Sequence, residues 1–428
     1  MPLLSSFGLV FSQDKRTQIL IGILSAFLLS AFIYLEYFFG DSNYKLFSSL
    51  FAILGLFLYL NLSRFGAFIC GALIGILWFY WVALSFRFYD LTYLMPAIWL
   101  TFIIIFGFLF FLFCYFQNPL YKISTLLIAS FIHPFGFNWF IPEIILTKSY
   151  FFPSKSILFL LLITLAIFTF LLHKRFYKIG ISLLLFALIA TSLFSQTLYP
   201  TSHKSTLKIK TTSTNIPQNL RWDLANLNAT IQSNLNLIQK AKQENYDLVI
   251  LPETAFPMAL NTQPSLIQSL KNLSQDIMII TGGVNKDKNN FYNSAYIFQQ
   301  GKMEILNKVI LVPFGEKIPL PDFIAHWINE VFFKGGNDFA SSLNKTPNST
   351  ILKDHFFQIA ICYEATRVEY YQNSPKFLIA ISNNAWFYPS IESTLQKLLM
   401  QYFAFNYGTT IYHSSNGSKD FVLLPNQP

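Results

Sequence analysis

Seven stretches in the first two hundred residues are apolar and nearly free of charge, at about 19–39, 45–62, 66–86, 92–116, 123–146, 156–173 and 178–197. A helix needs roughly twenty such residues to cross a bilayer. In hydrocarbon the backbone has no water to bond, so such runs can cross only as helices. This pattern splits the chain in two. Residues 1–200 read as a multi-pass α-helical membrane domain, and residues 204–428 as a globular domain of ordinary composition. The run at 45–62 is short, and Pro134, Gly136 and Pro142 interrupt the fifth. Neighbouring helices can re-satisfy a broken backbone, so about seven spans are expected. The whole chain is 53% hydrophobic and 12% charged, about half the charged fraction of a soluble domain.

Basic residues set the expected orientation. With the N-terminus in the cytoplasm, Lys15, Arg16, Arg64, Lys122, Lys174, Arg175 and Lys178 fall inside, against Lys45, Arg87, Lys148 and Lys155 outside. Cytoplasmic loops carry the excess of Lys and Arg. Seven spans then deliver residues 204–428 to the far side, which in a bacterium is the periplasmic face, or the outer surface of a single-membrane cell. No cleavage site follows the first run, so it reads as a retained anchor. The net charge of +9 would suit nucleic acid only if the cations shared one face of a soluble fold. Many instead punctuate apolar runs, so no nucleic-acid partner is expected. The run Trp78-Phe79-Tyr80-Trp81 reads as packing or an interfacial belt, with a lipid-lined gate as the functional alternative. Glu36, Asp90 and Glu143 sit near run ends, where solvation is the simpler account.

The globular half alternates strand and helix patterns. Strands are expected at 207–213, 247–251, 277–281, 292–298, 302–312, 356–361, 377–382, 411–414 and 420–424. Helices are expected at 224–245, with apolar positions Leu224, Leu227, Ile231, Leu235 and Ile238, and at 265–275 and 393–406. That mixture implies an α/β layered domain. Glu253 and Cys362 each follow an apolar strand, where a sheet fixes a side chain and a loop keeps it accessible.

Of three cysteines, Cys70 and Cys114 lie in apolar runs and read as small buried residues. Cys362 is alone in the globular half, so that half holds no internal disulfide. Three segments there carry chemistry: Leu251-Pro252-Glu253, Asn307-Lys308 with Leu311-Val312-Pro313-Phe314-Gly315-Glu316, and Ile361-Cys362-Tyr363-Glu364. They supply a carboxylate, an ammonium and a thiol. A thiol attacks as thiolate, a carboxylate can take its proton, and an ammonium can hold the oxyanion that follows. The set suits acyl transfer through a thioester, with no metal or cofactor implied. Taken singly, a Glu, Lys or Cys is more often structural or solvated.

Together with Asn215-Ile216-Pro217-Gln218-Asn219-Leu220-Arg221-Trp222-Asp223 and Ser382-Asn383-Asn384-Ala385-Trp386-Phe387, these segments resemble, in order, the signature segments of the apolipoprotein N-acyltransferases. These are bacterial inner-membrane enzymes whose periplasmic domain is of nitrilase (carbon–nitrogen hydrolase) type. The resemblance implies a nitrilase-type α-β-β-α sandwich on a membrane bundle. It implies a glycerophospholipid donor, with phosphatidylethanolamine favoured, and a diacylglyceryl-cysteine apolipoprotein as acceptor. Glu253 matches the general base, Lys308 the catalytic lysine and Cys362 the nucleophile. Glu316, Tyr363, Glu364 and Trp222 match positions near the site, with Glu316 orienting Lys308 and with Trp222 and Tyr363 lining the acyl or headgroup pocket.

The chain also departs from that pattern. Asn384 stands where the family has Asp, and Gln396, Gln401 and Asn406 stand where it has His, Arg and Glu. No counterpart of its final membrane helix is evident, so the C-terminus is expected outside. Two other readings stay open at this point: a membrane-anchored amidase that passes its acyl group to water, and a non-catalytic lipid or lipoprotein binder.

Overall fold

The computed structural model describes residue 12 and residues 14–40, 42–313, 315–318, 321, 323–326, 330 and 339–427. Phe314 of the Pro-Phe-Gly-Glu segment lies outside these. The first half is helical: α1 (Lys15–Phe39), α2 (Lys45–Leu60), α3 (Arg64–Phe79), α4 (Met95–Phe113), α5 (Pro119–Ala129), α6 (Lys155–His173) and α7 (Tyr177–Gln196). Five helical segments among the described residues are long and apolar enough to cross a membrane; α2 and α5 are shorter. The fifth apolar run is no single span. Helix α5 ends at Ala129, and short 3-10 turns follow at Pro134–Gly136 and Pro142–Leu146. Each turn opens on a proline, which lacks the N–H a continuing helix needs. Helices α3 and α4 pack closely because a side chain at Gly71 or Gly75 would strike the Phe106 or Phe102 carbonyl.

The helices alternate in direction. One set of ends is tied together by Ser63 N donating to Gln18 and by Lys122 Nζ donating to Leu60 O and Leu62 O. Lys122 is fully buried there, capping the carbonyls that end α2. The opposite ends face the globular half.

That half is two facing six-stranded sheets. The first has the order β1 (Ile209–Thr211), β3 (Leu248–Ile250), β5 (Met278–Asp287), β6 (Asn290–Gln299) and β7 (Lys302–Asn307), with β4 (Phe256–Ala259) on β5. The second has the order β12 (Phe421–Leu423), β11 (Thr410–Asn416), β10 (Phe377–Asn383), β9 (His355–Ile361) and β8 (Ser349–Leu352), with β2 (Ser213–Thr214) on β11. Period-two alternation builds the layers. Ile250, Ile280, Ile359, Ile361 and Ile379 fill the space between the sheets. Val249, Ile279 and Phe298 face outward under α8 (Leu224–Gln243) and α9 (Pro264–Leu273). Ala360, Leu378 and Ala380 face the other way, onto α10 (Glu392–Tyr407). The layer order α-β-β-α is that of the expected sandwich.

Helix α10 also docks the membrane helices, and its cluster of buried side chains runs without a break into theirs. Lys397 Nζ lies 2.7 Å from Glu36 Oε1. Tyr402 Oη donates to Glu143 Oε1 at 3.0 Å, and Lys155 pairs with the same carboxylate at 2.7 Å. Asn406 donates to Pro153 O at 2.9 Å. Solvation therefore does not account for Glu36 and Glu143. Both are buried acids held by cations and hydroxyls at the junction of the two halves. Asp90 is exposed, as expected. Trp78 and Trp81 are packing residues. Trp78 donates to Ser30, and Trp81 lies 4.9 Å from Trp139 and 4.8 Å from Phe387, ring to ring.

Candidate active site

Two strand ends deliver two of the three reactive groups. Strand β9 ends at Ile361, and Cys362 begins a 3-10 turn with φ +54°. Strand β3 runs out through Leu251 and Pro252 to Glu253, and Thr254 after it has φ +47°. A side chain in the left-handed region is uncommon and costs conformational energy. Here both turns put the preceding strand's register at the service of the cavity. Gly282 in β5 permits the second turn, since a Cβ there would stand 2.2 Å from Thr254 N.

Lys308 follows β7 and is wholly buried. Its Nζ lies 2.7 Å from Glu316 Oε2. Val312 N donates to that same oxygen at 2.9 Å, so Glu316 fixes its own loop while orienting the ammonium. Asn293 on β6 joins the two acids: its Nδ2 donates to Glu253 Oε1 at 2.7 Å and to Glu316 Oε1 at 3.1 Å. Glu364 ties the remaining pieces. Its Oε1 accepts from Val309 N and Ile310 N at 2.7 and 2.9 Å, and its Oε2 accepts from Ile361 N at 2.9 Å. One buried carboxylate thus holds the loop after Lys308 against the strand end before Cys362.

The charges around these groups set their protonation. Burial pushes the Cys362 thiol well above its ordinary 9.0, Glu253 adds to this, and Lys308 opposes it. Burial pulls Lys308 down, but the carboxylates of Glu316 and Glu253 outweigh it and hold the ammonium above its usual range. The resting site is therefore a thiol beside a firmly protonated lysine. Burial likewise raises Glu364, against the pull of Lys308. Burial and then Glu253 raise Glu392, the first residue of α10, well above the carboxylate range, so it carries a proton.

Glu253, Lys308, Cys362, Glu316 and Trp222 all line one cavity of about 1080 Å³. Trp222 is half exposed at its rim. Tyr363 does not line it. Its hydroxyl donates to Gly136 O at 2.7 Å, outside the cavity, so it docks the catalytic turn onto the membrane half. The turn explains this: Cys362 and Tyr363 are successive residues of a 3-10 turn, so their side chains point in different directions. The cavity wall also includes residues the sequence pattern left unmarked. Asn293 had no motif to flag it. Phe86, Arg87, Phe88 and Tyr89, on the 3-10 segment Tyr80–Tyr89 that continues α3, approach Trp386 of the globular half. The Tyr89 and Trp386 rings stack at 5.8 Å. Among the described residues no His, Cys, Asp and Glu cluster is placed to hold a metal ion.

Residues 16–190 match the apolipoprotein N-acyltransferase integral membrane domain, and residues 211–417 match the carbon-nitrogen hydrolase domain. An apolipoprotein N-acyltransferase of Wolinella succinogenes is 41% identical over 416 residues, covering 97% of this chain and 98% of its own. The chain belongs to the apolipoprotein N-acyltransferase family. The enzyme of that name from Helicobacter pylori is 38% identical over 88% of each chain. Among solved structures, an amidase of the nitrilase superfamily from Nesterenkonia AN1 aligns with a TM-score of 0.38 at 12% identity, covering 53% of this chain and 86% of that one.

Asn384, Gln396, Gln401 and Asn406 make neutral amide contacts, while Asn384 Oδ1, Gln396 Nε2 and Gln401 Oε1 are buried without a hydrogen-bond partner among the described residues. Asn384 donates to Gln396 at 3.1 Å and to Ser418 at 3.2 Å, Gln401 donates to Gln427 O, and Asn406 holds Pro153.

Proposed function

We propose that the chain, an acyltransferase of lipoprotein maturation by its family, works through a thioester on Cys362. Glu253 takes the Cys362 proton, and the thiolate attacks the sn-1 ester carbonyl of a glycerophospholipid, phosphatidylethanolamine foremost. Lys308 holds the oxyanion. The carbon–oxygen bond breaks, Glu253 returns the proton to the leaving alkoxide, and lysophospholipid departs. The α-amine of a diacylglyceryl-cysteine lipoprotein then attacks the thioester. Glu253 accepts the amine's proton, the carbon–sulfur bond breaks, and the proton passes to the Cys362 thiolate. The products are triacylated lipoprotein and free enzyme. In this reading Glu316 orients Lys308, and Glu364 keeps Lys308 and Cys362 in register.

The observation that carries this reading is the convergence of Glu253, Lys308 and Cys362 on one cavity walled by a membrane helix's own extension. A water-exposed cleft would serve an amidase; a cavity bounded by Phe86, Phe88 and Trp386 suits an acyl chain. The basic-residue bias supports an N-terminus in the cytoplasm. It supports an inner-membrane protein whose residues 204–428 face the periplasm. Purified protein given phosphatidylethanolamine labelled in the sn-1 chain and a synthetic diacylglyceryl-cysteine peptide should yield labelled N-acyl peptide. Labelled free fatty acid alone would establish a hydrolase, and bound lipid without turnover a non-catalytic binder.

A further inference from the structure

Three cationic side chains line the cavity among the described residues: Arg221, Lys308 and Arg87. Two are committed. Arg221 is buried and donates to the Glu253 and Thr254 carbonyls, and Lys308 pairs with Glu316. Arg87 differs. Its Nε donates to Leu84 O at 2.9 Å, and its Nη2 donates to Tyr388 O at 2.8 Å. Its guanidinium lies 5.5 Å from the Phe88 ring centre. These contacts fix the group while using two of its five N–H donors. Among the described residues no carboxylate pairs with it.

Position adds to this. Arg87 lies in the last turn of the Arg64–Tyr89 segment, one of the five among the described residues long enough to cross a membrane. The end of such a segment lies at the depth of lipid headgroups, where cationic side chains meet phosphate. Its neighbours on the same wall are Phe86, Phe88 and Phe387, apolar surface below a polar anchor. A guanidinium offers a planar fork that matches phosphate oxygens, and it is weakly hydrated enough to bind them at a partly buried site.

We infer that Arg87 binds the phosphate of the phospholipid donor and so sets donor specificity. This rests on the thioester reading above. A phosphodiester gripped at the rim leaves the sn-1 ester free to reach down toward Cys362. The acceptor's diacylglyceryl thioether carries no phosphate, so Arg87 acts on the first half-reaction and leaves the second to other contacts. The donor exchange thereby gains a direction: lysophospholipid leaves with the phosphate that Arg87 holds, and the acceptor enters a site whose cation is free.

The test compares two donors in full-length protein in detergent. One is phosphatidylethanolamine and the other a long-chain nitrophenyl ester, which has no phosphate. Acyl-enzyme formation is measured for the unaltered protein, Arg87→Gln and Arg87→Lys. Arg87→Gln should lower the rate ratio of phospholipid to ester at least about tenfold, equivalent to about 1.4 kcal/mol of lost donor binding. Arg87→Lys should recover part of the ratio, because it restores charge without the fork. An equal loss with both donors would overturn the proposal and make Arg87 a strap between Leu84 and Tyr388. An unchanged ratio would overturn it as well. No adduct from either donor in the unaltered protein would remove the thioester reading and this role with it.

Discussion

Asn293 donates to Glu253 at 2.7 Å and with the same nitrogen reaches Glu316 at 3.1 Å, so one amide spaces a buried and a partly buried carboxylate. A hydrogen bond to a charged group contributes about 1.5–3 kcal/mol, so Asn293→Ala should slow acyl-enzyme formation by about tenfold to a hundredfold. Asn293→Asp should act differently. It removes the donor and sets a like charge beside Glu253, so it should slow acyl-enzyme formation more than Asn293→Ala does. An Asn293→Asp variant as fast as the unaltered protein would show that this amide does not support Glu253.

Glu364 offers a test of assembly rather than chemistry. Both of its oxygens accept backbone bonds, from Val309 and Ile310 on one side and Ile361 on the other. Glu364→Gln replaces one oxygen with a donor and strands at least one buried N–H, at about 1–3 kcal/mol. The variant should melt lower and lose activity, and in a Lys308→Met background it should add little further activity loss, because it acts through the Lys308 loop. Full additivity would separate the two residues.

The Cys362 thiol should be sluggish toward alkylating agents in the absence of lipid. Burial and then Glu253 hold its pKa well above 9.0, so the thiolate fraction is small at neutral pH and grows as pH rises. Carbamidomethylation by iodoacetamide should therefore climb through pH 9 without levelling. A plateau below about pH 8 would mean a preformed thiolate–ammonium pair with Lys308.

Glu392 should tolerate a neutral amide. Burial and Glu253 keep it protonated, so Glu392→Gln conserves both shape and charge and should melt and turn over close to the unaltered protein. Glu392→Lys should fail to fold stably, because it places an unpaired cation in a site with no solvent. A marked activity loss in Glu392→Gln would show that its carboxylic proton, rather than its bulk, is used.

The layered architecture was legible because periods of two and 3.6 residues are written directly into strands such as 356–361 and helices such as 224–245. Strand ends were also legible, and with them Glu253 and Cys362. Lys308 and Glu316 were readable through their neighbours, not through any periodicity. Four things were hidden. The 302–312 strand was expected to run too far, since Val309 to Val312 are apolar yet bend away where Glu364 and Glu316 capture their amides. Tyr363 was placed in the pocket because adjacency to Cys362 says nothing of which way a side chain turns. Glu36 and Glu143 looked solvated because their partners on α10 lie more than 250 positions later in the chain. Asn293 was invisible for the same reason: its two partners are distant in sequence, and an Asn in a strand carries no signal of its own.

The central claim is that Cys362 carries the acyl group. Intact-mass measurement after incubation with phosphatidylethanolamine tests it most directly. The unaltered protein should gain the mass of one acyl chain, lose it on hydroxylamine treatment, and lose it to a diacylglyceryl-cysteine peptide. Cys362→Ala should gain nothing. An adduct that persists in Cys362→Ala, or one that resists hydroxylamine in the unaltered protein, would contradict the account.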